Sequence, residues 1–186
     1  MKSKIGDLII QVISVMIGVF LGFAITNWSE NQKETSKYNA LLLNITSEIK
    51  ANQAKIDQVI GYHKMLKDST KYYLNTKEFT NFRPSFFKGV NTLSFNNSAY
   101  QTGIQTGLLN IMELEKVQAI NDVYTKQRAY EEFANVLLSG LITMDFDQSE
   151  KSAQKIATFL SISMTDIVIK EEQLLQSIGH TLSIIQ

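Results

Sequence analysis

Between Leu8 and Trp28 the chain reads LIIQVISVMIGVFLGFAITNW, without a single charged side chain, and this run limits the possible folds more than any other feature. At about 1.5 Å rise per residue, a helix of this length spans about 30 Å, the thickness of a bilayer's hydrocarbon core. The segment is apolar on every side, unlike a helix that covers a soluble core on one face. Gln11 is its only strongly polar residue before Thr26 and Asn27, and Trp28 closes it where an interfacial anchor is expected. Gly18 and Gly22 form a GxxxG pair, a spacing that lets two membrane helices approach closely. Glycine is also common in membrane helices generally, which accounts for the same letters without dimerisation.

A transmembrane helix over 8–28 is therefore expected, with 1–7 as a short cytoplasmic leader and 29–186 as an extracytoplasmic domain. Orientation rests on few charges. Lys2, Lys4 and the N-terminal amine precede the span against Asp7, whereas Glu30, Lys33, Glu34 and Lys37 nearly cancel after it. The positive-inside rule then favours a cytoplasmic N-terminus. A cleaved signal peptide, cut after Gly22 and Ala24, is the competing reading. Against it stand the apolar run continuing to Trp28, Asp7 in the leader, and a sequence that continues directly as helix.

Beyond Trp28 the pattern changes to a heptad seam. Tyr38, Leu42, Ile45, Ile49, Asn52, Ile56, Val59, His63, Leu66, Thr70 and Tyr73 alternate by four and three residues. Leu41 and Ile60 widen the stripe, as in a bundle. Glu48, with lysines such as Lys50, Lys55 and Lys64, is assigned to the solvated face. Asn52 and His63 occupy polar seam positions. Satisfied core residues that fix register explain both, and a pH switch or ligand contact is the sharper alternative for His63. The single proline, Pro84, lies far from this helix, so it can run uninterrupted.

The expected fold class is all-α. One transmembrane helix continues into an antiparallel bundle of three long helices and one short one, over about 29–75, 98–109, 112–144 and 149–184. Ser98 is expected to cap the short helix, and the stretch 145–150 to form a turn that caps the last. Leu114, Val117, Tyr124, Ala134, Leu138 and Leu141 are placed inward on the third helix. Ile156, Leu160, Ile167, Leu174, Ile178 and Ile185 are placed inward on the fourth. The loop 76–97 is rich in phenylalanine and is expected to pack across the end of the bundle. Its Phe79, Phe82, Phe86 and Phe87 form a candidate partner patch if exposed.

Chemistry is scarce. The 18 basic and 18 acidic side chains cancel, so the basic excess of a nucleic-acid binder is missing. There is no cysteine, which removes disulfides, thiolate metal sites and cysteine nucleophiles. Asp145, Asp147 and Ser149 resemble the start of a calcium loop, but Glu150 and Ile156 stand where glycine and glutamate are required. His63 and His180 have no metal-ligand spacing. Glu113, Glu115, Glu131, Glu132, Glu171 and Glu172 look like ordinary surface charges. No catalytic residues, no cofactor and no metal site are expected.

Two motifs carry a resemblance. Ser98-Ala-Tyr-Gln-Thr-Gly-Ile-Gln-Thr-Gly-Leu-Leu-Asn-Ile111 and Ile25-Thr-Asn-Trp-Ser-Glu30 resemble stretches of an uncharacterised family of small single-pass membrane proteins from Bacteroidota. In this chain the span contains Gln11 and the basic leader is short. The resemblance implies an inner-membrane anchor with a periplasmic domain, and it supplies no catalytic residues. The function expected is a non-enzymatic interaction, scaffold or accessory subunit, with the bilayer and a protein or a second copy as partners. The alternative is a periplasmic ligand-sensing bundle, its small-molecule ligand unknown, that signals through a membrane partner.

Overall fold

The computed structural model describes residues 2–76, 87–147 and 149–185. These residues are helical apart from one extended segment and short turns, with no strand among them. Helix α1 is Lys2–Thr76, α2 is Ser98–Gln105, α3 is Leu114–Ile142 and α4 is Glu150–Ile185, with a 3-10 turn at Leu108–Ile111. The chain divides into two compact units, Met1–Leu43 and Asn44–Gln186.

The first unit is the beginning of α1. It contains a stretch long and apolar enough to cross a membrane, none of which is buried. Phe20 is 74% exposed and Trp28 64% exposed.

The second unit is the bundle. The end of α1 buries Ile45, Ile49, Asn52, Ile56, His63, Leu66 and Thr70, the four-and-three spacing of the seam. Helix α4 runs antiparallel to it, with His63 facing Glu171 and, further along, Tyr73 and Leu74 packed on Ala157. Helix α3 is antiparallel to α4, since Thr181 meets Ala119, Ser177 meets Asp122 and Tyr130 meets Glu171. Near the other end of this pair a Cβ on Gly140 would lie 2.9 Å from the Phe159 ring, so a larger residue there would require that ring to move.

The inward residues of α4 expected from spacing are buried, except Ile156, which is half-buried. Helix α3 is shifted in phase. Tyr124 and Ala134 are buried, but Val117, Leu138 and Leu141 are half-buried and Leu114 is 71% exposed. The true stripe runs through Ile120, Val123, Gln127, Tyr130 and Leu137. The run Val136-Leu137-Leu138 offers apolar groups on every side, so it cannot choose a face by itself. The short helix also stops earlier than its composition suggests. Gly107, at φ 71°, takes the left-handed conformation that closes α2 and opens the 3-10 turn.

The segment 87–97 is drawn out along the bundle as neither helix nor strand, with positive φ at Gly89 (90°) and Asn91 (45°). It runs back alongside α1, antiparallel to it, because Gly89, Ser94 and Asn96 meet Tyr62, Lys55 and Asn52 in turn. This part of the loop therefore lies along the bundle instead of across its end.

Candidate functional site

A backbone segment of neither helix nor strand that lies against helices has no ladder partner, so its N–H and C=O groups need side chains. The seam of α1 and the facing parts of α3 and α4 supply them. Asn52 Nδ2 donates to the Asn96 carbonyl at 2.7 Å, and Asn52 Oδ1 accepts the Asn96 N–H at 2.9 Å. Tyr62 donates to the Gly89 carbonyl at 2.6 Å and accepts the Lys88 N–H at 2.9 Å. Lys55 donates to the Ser94 carbonyl at 2.8 Å. From α3, Tyr130 Oη accepts the Leu93 N–H at 3.3 Å and Glu131 Oε1 accepts the Phe95 N–H at 2.7 Å.

His63 anchors the same segment. Its Nε2 donates to the Val90 carbonyl at 2.9 Å, and its Nδ1 lies 2.7 Å from Glu171 Oε1. Both residues are fully buried. Glu171 Oε1 also accepts the Tyr130 hydroxyl at 3.2 Å. The Val90 carbonyl can only accept, so Nε2 carries a proton, and the Glu171 carboxyl closes off Nδ1. Burial, and then the Glu171 charge, push the Tyr130 hydroxyl above its usual range, so it stays protonated and donates.

Glu48 plays the corresponding part at the end of the segment. It accepts the Ser98 hydroxyl at 3.0 Å and the Ala99 N–H at 2.9 Å, capping α2 from a distant helix, while Tyr124 donates to it at 2.6 Å. Burial and this bond raise the Tyr124 hydroxyl. Ser98 is thus the first residue of α2 and donates to a carboxylate, instead of capping the helix itself. Ahead of α4, Ser149 Oγ does accept the Ser152 N–H, at 3.2 Å.

The positions singled out by sequence fall into separate places. Asn52 and His63 both hold the extended segment, and neither ring nitrogen of His63 is left for a ligand. Gly18 and Gly22 lie on the exposed beginning of α1, with nothing within 4 Å of where their Cβ atoms would be. Trp28 ends the same exposed stretch. Phe87 is half-buried at the start of the extended segment, and Phe79, Phe82 and Phe86 lie outside the described residues.

Glu48 and Glu171, assigned to solvated faces, are buried and bonded, and this corrects the sequence reading. A signal existed for Glu171. Leu160, Met164, Ile167, Glu171, Leu174, Ile178, Thr181 and Ile185 alternate by four and three, so the glutamate stands in the seam itself. Glu48 lies between Ile45 and Ile49 at the edge of the α1 stripe. Among the described residues, no group of three or more His, Asp or Glu side chains is arranged to hold a metal ion.

No protein-family model matches the chain, and comparisons with the curated proteins and with solved structures find no match.

Proposed function

We propose that this chain is a single-pass membrane protein whose helical bundle serves as an interaction, scaffold or accessory subunit, without catalysis of its own. The observation that carries this reading is the exposed apolar stretch at the start of α1, where Ile10, Val15, Phe20, Phe23 and Ile25 are covered by none of the described residues. Side chains of this kind belong in lipid, and their length matches a bilayer core. The charges around the span favour a cytoplasmic N-terminus, and the resemblance to the Bacteroidota family favours a bacterial inner membrane with a periplasmic bundle. The open face at Gly18 and Gly22 suits close packing against a second copy or another membrane helix. The phenylalanines of 79–87 are the proposed patch for a soluble partner.

Because the chain has no cysteine, topology can be read with single replacements. A membrane-impermeant maleimide is expected to label Gln173→Cys in cells with a permeabilised outer membrane, and Lys2→Cys only after lysis. Equal labelling of both, or release of the chain by carbonate, would sink the anchored reading. In detergent, Gly18→Leu combined with Gly22→Leu is expected to lower the oligomeric fraction. An unchanged distribution removes the self-association part alone.

A further inference from the structure

Among the described residues, a buried amide on α3 has neither of its polar atoms paired. Gln127 is 2% exposed, and neither its Nε2 nor its Oε1 makes a hydrogen bond with a described residue. A buried amide left without hydrogen bonds destabilises the fold, so an orphan here calls for a reason. Gln127 borders a cleft of about 180 Å³ lined also by Phe95, Tyr100, Tyr124, Arg128 and Glu131. Its aromatic wall is rigid. Tyr100 and Tyr124 stack with ring centroids 4.1 Å apart, and their hydroxyls are tied to Asn121 and Glu48.

The charges on the rim are also incomplete. Arg128 and Glu131 stand three residues apart on one helix, a spacing that commonly gives an ion pair, yet none joins them. Arg128 makes no hydrogen bond or ion pair with any described residue. Glu131 gives Oε1 to the Phe95 N–H, which leaves Oε2 available.

We propose that this cleft binds a small zwitterion with an apolar body, chemically a free amino acid. The carboxylate would meet the Arg128 guanidinium, a planar donor matched to it. The ammonium would meet Glu131, the apolar side chain would lie against Phe95 and the tyrosine pair, and the Gln127 amide would supply a donor and an acceptor as the cleft adjusts. The volume is below the roughly 300–1,000 Å³ of drug-sized sites, so the occupant is small. This site stands whether or not the chain spans a membrane or signals through a partner.

The test is calorimetric titration of the full-length chain in detergent with L-leucine and L-phenylalanine. Saturable binding is expected, with Kd below about 1 mM. N-acetyl-L-leucine, which lacks the ammonium, and L-leucinamide, which lacks the carboxylate, should each bind at least about tenfold more weakly. Arg128→Gln should weaken L-leucine binding to a similar degree, and Arg128→Lys should recover part of it. Gln127→Leu should weaken binding while raising the melting temperature of the unliganded chain, which separates loss of the site from loss of the fold. Absence of saturable binding by either amino acid up to about 10 mM would overturn the proposal, leaving a water-filled cleft. Binding indifferent to Arg128→Gln would do the same. Equal affinity for isovalerate would overturn the zwitterion assignment.

Discussion

The two ends of α1 invert the usual rule of a water-soluble helix. Near its beginning the helix exposes isoleucine, valine, phenylalanine and tryptophan, while between Glu48 and Thr70 it buries a carboxylate, an amide, an imidazole and a hydroxyl. Both departures cost free energy in water, and each has to be answered by what surrounds it. The buried polar groups are answered within the chain. Glu48, Asn52 and His63 each meet backbone groups that no helix or strand would otherwise satisfy. The exposed apolar groups meet nothing among the described residues, which is why the proposed function gives them a bilayer. Burial of a polar residue and exposure of an apolar one are thus the same kind of clue, since each indicates a partner.

The comparison can be broken most forcefully at the buried pair. Removing one partner of this fully buried contact leaves the other polar group unsatisfied, and His63→Leu or Glu171→Leu is expected to cost about 1–3 kcal/mol in chemical denaturation. His63→Leu also strips the Val90 carbonyl of its donor. The double replacement should recover part of the loss, because the orphaned polar group is gone. If either single variant costs less than about 1 kcal/mol, the pair does not anchor the segment.

A smaller effect is expected at Gly107, whose positive φ strains any residue with a Cβ. Gly107→Ala should lower stability by about 1–2 kcal/mol, seen as an earlier urea midpoint. A neutral result would mean that the turn between α2 and the 3-10 turn tolerates another conformation.

The smallest effect concerns the surface contact between α3 and α4. Hydrogen bonds from Lys126 and then from Ser177 hold the Asp122 carboxyl below its usual range. A depressed folded value stabilises the native state above the unfolded value of about 4 and loses that contribution as pH falls through the folded value. Unfolding midpoints at pH 7 and at about pH 3 should therefore differ slightly more for the natural chain than for Asp122→Asn. The difference is small because the aspartate is solvated.

Much of the helical frame was legible in the letters. The four-and-three spacing of α1 was uninterrupted by proline, and α4 repeated it down to Ile185. The phase of α3 was not, because adjacent apolar residues at 136–138 leave its face undecided until α4 packs against it. The extended segment was hidden for a different reason. Its hydrogen bonds come from Asn52, Tyr62, His63, Tyr130 and Glu131, each dozens of positions away in the chain. Asn52 and His63 stood out as polar seam positions, yet nothing local named their partners. Glu171 went unnoticed because a charge at a seam position reads as solvated unless the spacing is followed through it. Gln127 carried no mark beyond standing on the same face as Tyr124 and Tyr130.

Hydrogen exchange addresses most directly whether these buried side chains hold the extended segment. The amides of Leu93, Phe95 and Asn96 lie outside any helix or strand and donate to Tyr130, Glu131 and Asn52. They are expected to exchange far more slowly than in an unstructured peptide, and Asn52→Ala should release Asn96 first while the amides of α4 keep their protection. Exchange of all three at unstructured rates in the natural chain would contradict the account.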